Sequence, residues 1–147
     1  MKIAIANDHA GVEYKNILIK FLKERGYQVI NKGTDTQDSC DYPDYAKAVV
    51  NSILSKESDF GVLICGTGVG MSICANRFKG IRASLCTNTF VAQMTREHNN
   101  SNVLCLGARV ITVEEMLKIA DAYFSTEFSE LQNPDKHTRR INKIEKD

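Results

Sequence analysis

Cys65 stands directly before Gly66-Thr67-Gly68-Val69-Gly70, so a thiol meets a glycine-rich turn. Glycines let the backbone turn sharply and let a bound group approach the amides closely. Where such a turn opens a helix, unpaired N–H groups and a partial positive charge attract an anion. That setting also favours a thiolate, able to act as a general base or a nucleophile beside amides that hold an oxyanion. The plainer readings are a tight structural turn and one more buried cysteine.

Nucleotide chemistry fails on the same residues. Met71 occupies the third glycine position of a dinucleotide fingerprint, and no acidic residue ends the next strand to hold a ribose. No G-K-[ST] follows, so there is no P-loop. A receiver domain needs an acidic residue where this chain has Cys65.

The three histidines are His9, His98 and His137. His9 follows Asp8 at a strand's end, where the carboxylate is placed to fix its tautomer. His98 lies in the polar run Arg96-Glu97-His98-Asn99-Asn100. No Cys/His cluster has metal-ligand spacing, so the expected metal count is zero. The tail Lys136-His137-Thr138-Arg139-Arg140 is basic. It reads either as a solvated helix face or as a phosphate clamp built on Arg140 and Lys136.

These residues need a scaffold, and the hydrophobic pattern supplies one. Lys2–Ala6, Tyr27–Ile30, Phe60–Cys65, Ile81–Cys86 and Asn102–Leu106 are short apolar runs with the length of buried strands. Amphipathic segments alternate with them. Tyr14, Ile17, Leu18, Phe21 and Leu22 keep helical spacing, as do Ala46, Val49, Val50, Ile53 and Leu54 after Pro43. Another helix starts at Thr112 with Glu115 completing a capping box. Asn133 and Pro134 suit the cap and first position of an extra C-terminal helix. The alternation predicts one α/β domain over residues 1–147, a doubly wound parallel five-stranded sheet of flavodoxin-like order 2-1-3-4-5 with helices on both faces. In such sheets ligands bind beyond the carboxyl ends of the strands. That places Asp8 and His9, Cys65 to Gly70, Thr87 and Asn88, and Gly107 and Arg109 around one crevice.

At 147 residues and a net charge of +1, the composition gives no reason to expect nucleic acid or a membrane surface. The first apolar run is too short for a signal-peptide core, and none is long enough to cross a bilayer. Five cysteines at irregular spacing, with no C-x-x-C pair, fit a reducing compartment, so a cytoplasmic location is expected.

Separated motifs occur in one order along the chain: Asp8-His9-Ala10-Gly11, Lys32-Gly33-Thr34, Asp41-Tyr42-Pro43 and Cys65 to Gly70. Gly80-Ile81-Arg82-Ala83, His98-Asn99, Gly107-Ala108-Arg109 and His137 with Arg140 follow. Through them nearly the whole chain resembles the type B ribose-5-phosphate isomerases, grouped with the galactose-6-phosphate isomerase subunits. The resemblance implies interconversion of ribose 5-phosphate and ribulose 5-phosphate in the pentose phosphate pathway, without metal or organic cofactor. It implies that Cys65 is the base, that Thr67 and His98 assist ring opening, and that Asp8 and Asn99 contact sugar hydroxyls. The amides of Gly66, Gly68, Val69 and Gly70 would form the anion hole, and His9, Arg109, Lys136 and Arg140 would surround the phosphate. Lys136 stands where many relatives carry arginine, and Asn7 where many carry a small residue.

A helix leaving the carboxyl end of strand four finishes at the opposite edge of the sheet. His98 should therefore lie far from Cys65 of its own chain, which, with the resemblance, implies a homodimer or tetramer with a shared active site. A six-carbon sugar phosphate as substrate, or a non-catalytic phosphate-binding module on the same fold, are the competing readings.

Overall fold

The structure, a computed structural model, describes residues 1–131 and 134–146. Its strands are β1 (Lys2–Asn7), β2 (Gln28–Asn31), β3 (Phe60–Cys65), β4 (Ala83–Leu85) and β5 (Val103–Gly107). Its helices are α1 (Val12–Glu24), α2 (Tyr42–Leu54), α3 (Val69–Ala75), α4 (Thr89–Asn99), α5 (Val113–Ser125) and α6 (Pro134–Glu145). The five strands make one parallel sheet, as the alternation predicts.

The order is β2-β1-β3-β5-β4, so the last two strands exchange places relative to the flavodoxin-like order. The reason lies in burial. Every residue of β5 is buried, which suits a strand covered on both faces, and it pairs with β3. The three residues of β4 are each half-buried, and so short a strand belongs at an edge.

Strand direction then sorts the helices. Right-handed crossovers put connections moving one way along the sheet on one face and those moving back on the other. The steps from β2 to β3 and from β3 to β4 carry α2 and α3, which pack Ala46, Val49, Val50, Met71 and Ala75 against Ala4, Ala6 and Leu63. The reverse steps carry α1 and α4, which join α5 on the other face over Ile3, Ile5, Val62 and Ile64. Successive strand residues therefore alternate between two apolar layers.

The helix ends follow local chemistry. Thr112 and Glu115 form the expected capping box on α5. The Asn88 side chain accepts from the Val91 amide (2.9 Å) and caps α4, a structural role for a residue expected at the crevice. The glycine-rich turn opens a helix of only seven residues, which ends at Ala75. Pro134 is the first residue of α6, as expected, whereas Asn133, its expected cap, lies outside the described residues.

Candidate active site

Neighbouring strands β1 and β3 send their connections to opposite faces, which opens a crevice beyond their carboxyl ends. The Asp8 amide donates to the Ile64 carbonyl (3.1 Å) and brings Asp8 beside the end of β3. On the other side, the Ala108 and Arg109 amides donate to the carbonyls of Cys65 and Gly66, each at 2.9 Å. Asp8, Cys65 and Arg109 thus ring one opening.

Cys65 is 5% exposed, and the Gly68 N–H donates to its sulfur at 3.1 Å. Gly68 makes that reach with a left-handed φ of +79°. The bond holds an amide donor against the sulfur. The Val69 amide meets the Thr67 hydroxyl at 3.3 Å, so this donor is occupied within the loop. Arg109 lies over Gly66, where an added Cβ would come 3.2 Å from its Nη1. A Cβ on Gly70 would come 2.7 Å from the Tyr42 ring. Tyr42 therefore borders the loop, a neighbour that the sequence reading left without a role. Its one signal is Gly70 itself, a poor helix former in the first turn of α3.

Asp8 does not orient His9. Its carboxylate accepts from the Ala10 amide (2.9 Å) and caps the short 3₁₀ turn His9–Gly11. His9 Nδ1 instead accepts from the Cys40 amide at 3.4 Å, which leaves the neutral ring's proton on Nε2. The loop carrying Cys40 is anchored beneath by a polar network absent from the sequence reading. Lys15, fully buried, donates to the Thr34 carbonyl (2.7 Å) and pairs with Asp35. Asn7 Nδ2 donates to the same Thr34 carbonyl (3.1 Å), while Asn7 Oδ1 is buried without a partner. The Lys15 side chain holds Asp35 below the usual carboxylate range by hydrogen bonding, with Asn31 adding to it.

The remaining site candidates collect elsewhere. The Gly61 N–H donates to the Asn102 carbonyl (2.9 Å), so the chain leaving α4 meets the amino end of β3. Cys65 is four residues farther along that strand, roughly 13 Å at the usual rise. His98 and Asn99, at the end of α4, therefore sit across the sheet from the thiol. The His98 ring stacks on His137 of α6, with centroids 4.6 Å apart and planes 12° apart. Burial, with His98, Lys136 and Arg140 nearby, holds the His137 imidazole below its usual range. Lys136 and Arg140 are exposed on α6 next to it. The expected residues thus form two groups: Asp8, His9, Cys65 to Gly70 and Arg109 at one end, and His98, Asn99, Lys136 and Arg140 at the other.

A family model described as ribose/galactose isomerase matches residues 3–144, and the chain belongs to this family of aldose–ketose isomerases. It is 43% identical over 143 residues to ribose-5-phosphate isomerase B of Escherichia coli, covering 97% of this chain and 93% of that one. The crystal structure of a ribose 5-phosphate isomerase from Thermotoga maritima superposes with a TM-score of 0.94 at 50% identity, over 99% of this chain and 98% of that one. Ribose-5-phosphate isomerase B of Clostridium thermocellum superposes with the same TM-score at 45% identity, over 99% and 96% of the two chains. Among the described residues no helix is long and apolar enough to cross a membrane.

Proposed function

We propose that this isomerase interconverts ribose 5-phosphate and ribulose 5-phosphate, with Cys65 moving a proton between C2 and C1 through a cis-enediolate. The observation that carries the reading is the Gly68 N–H aimed at the Cys65 sulfur at 3.1 Å. A proton alpha to a carbonyl needs a base within reach of it, and a cysteine sulfur facing a loop amide can serve as that base. The thiolate takes the C2 proton as the C1 carbonyl oxygen gains charge, the hydroxyl proton on the C2 oxygen passes to the C1 oxygen, and the thiol returns the first proton to C1 as the C2 oxygen becomes a carbonyl. The amides of Gly66 and Gly70 are the donors for the enediolate oxygens, since those of Gly68 and Val69 already meet the Cys65 sulfur and the Thr67 hydroxyl, and each such donor is typically worth about 3 kcal/mol. Thr67 and His98 open the furanose ring, and Asp8 and Asn99 hold sugar hydroxyls. His9, Arg109, Lys136 and Arg140 hold the phosphate. The scheme draws on side chains and amides alone and suits a cytoplasmic metabolic enzyme.

The scheme requires two copies of the chain, because His98 is remote from Cys65 within one. The second copy has an apolar surface to meet. Val69 and Ile73 on α3 and Phe90 on α4 are 44%, 62% and 67% exposed around the open edge at β4. The names carried by the Escherichia coli, Thermotoga and Clostridium relatives support the five-carbon substrate.

The deciding experiment compares turnover of ribose 5-phosphate and allose 6-phosphate with Cys65→Ala as control. We expect ribose 5-phosphate to be preferred, and C2 proton exchange in deuterated water to fall about 10²–10⁴-fold in Cys65→Ala, with phosphate-ligand binding retained. Exchange at the normal rate in the folded variant would remove Cys65 as base, and preference for the six-carbon sugar would reassign the substrate.

A further inference from the structure

Arg82 lies just before β4, far from the thiol, and no part of the scheme above uses it. Its guanidinium nevertheless binds two separate elements at once. Nε donates to the carbonyls of Asn99 (3.0 Å) and Asn100 (3.2 Å), and Nη2 donates to Asn100 again (3.0 Å). These are terminal carbonyls of α4, which a helix leaves without internal partners. Nη1 reaches Glu145 Oε1 on α6 at 2.5 Å, and Glu145 Oε2 accepts from the Gly80 amide at 3.1 Å.

The helix on the far side of this pair is poor in apolar anchors. Within its sequence Pro-Asp-Lys-His-Thr-Arg-Arg-Ile-Asn-Lys-Ile-Glu, Ile141 and Ile144 are the only aliphatic side chains, and Ile144 is exposed. His137, Ile141 and Glu145 recur every four residues and so form one stripe along the helix. His137 stacks on His98, Ile141 is buried, and Glu145 ends the stripe on Arg82. A helix of this length is marginal without tertiary contacts.

We infer that Arg82 is a positioning residue, latching the end of α4 to the last turn of α6 through Glu145. The latch fixes the rotation of α6, and with it the placement of Lys136 and Arg140 relative to His98 and Asn99. Its catalytic consequence rests on the isomerase reading; the latch itself does not. Lysine cannot replace Arg82, because an ammonium lacks the planar fork that reaches two carbonyls and a carboxylate together.

The test uses Arg82→Lys, Glu145→Ala and the double variant in the full-length protein. With only three histidines in the chain, NMR follows each imidazole through a pH titration. Each variant should move the His137 titration up toward the ordinary histidine range as the stack on His98 loosens. KM for ribose 5-phosphate should rise about tenfold, within the roughly 10²-fold that a misplacement of 1 Å can cost, while kcat in Glu145→Ala changes little. The double variant should be no worse than the poorer single one, because both break one latch. An unmoved His137 titration would overturn the latch, and a moved titration at unchanged KM would overturn its role in positioning. Absence of turnover in the unmodified protein would instead sink the isomerase reading, and the titration would still decide the latch.

Discussion

Gly68, Gly70 and Gly107 shape the crevice because each leaves space that another group occupies. A Cβ on Gly107 would lie 2.6 Å from the Thr67 carbonyl oxygen, and one on Gly68 would lie 2.9 Å from the Leu106 backbone. Backbone cannot move aside as a flexible side chain can. Gly107→Ala should therefore cost about 1–3 kcal/mol and displace Thr67, read as a lower urea midpoint at unchanged slope. Buried titrating groups make a second statement at this scale. Burial pushes the Cys86 thiol up to about 12, and pushes Cys105 and Tyr123 well above their usual ranges. Above about pH 8.5 the unfolded chain releases protons that the folded chain keeps, so stability is full below that pH and falls as pH rises. Melting temperature should decline from about pH 8.5 upward, and Cys86→Ala should flatten the first part of the decline. An equally steep decline in that variant would contradict the assignment.

Among the elements, α5 was fully legible from local signals. Thr112 and Glu115 cap each other's backbone within four residues, and no distant group takes part. Thr112→Ala should cost about 1 kcal/mol, measured by denaturant unfolding, without altering the Cys65 loop. The strands were legible as types but not in order. Both Ile81–Cys86 and Asn102–Leu106 read as buried runs, yet β4 shortens to three residues and takes the edge. Which of two apolar runs sits in the centre depends on the layers above and below, and a run of residues does not encode its neighbours.

At the scale of the molecule, the stacked His98 and His137 lie across the sheet from Cys65, so one chain holds two incomplete halves of the proposed site. Cys65→Ala and His98→Ala proteins, each impaired alone, should regain activity when refolded together. A random mixture of dimers leaves one intact site in each heterodimer, or roughly a quarter of all sites. Mixtures shown to contain heterodimers yet lacking activity would contradict the shared site.

By itself the sequence determined the α/β class, the five strand segments and the capping of α5. Those features follow from hydrophobic period and from groups a few residues apart, which act before the chain is packed. Tertiary structure alone decided the place of β5 beside β3, the Gly68 amide on the Cys65 sulfur, Cys40 in place of Asp8 as the partner of His9, and the Arg82–Glu145 latch. Each depends on backbone conformation and on segments brought together from distant parts of the chain. Their pairing is settled by which surfaces can be buried together, and no local pattern carries that information.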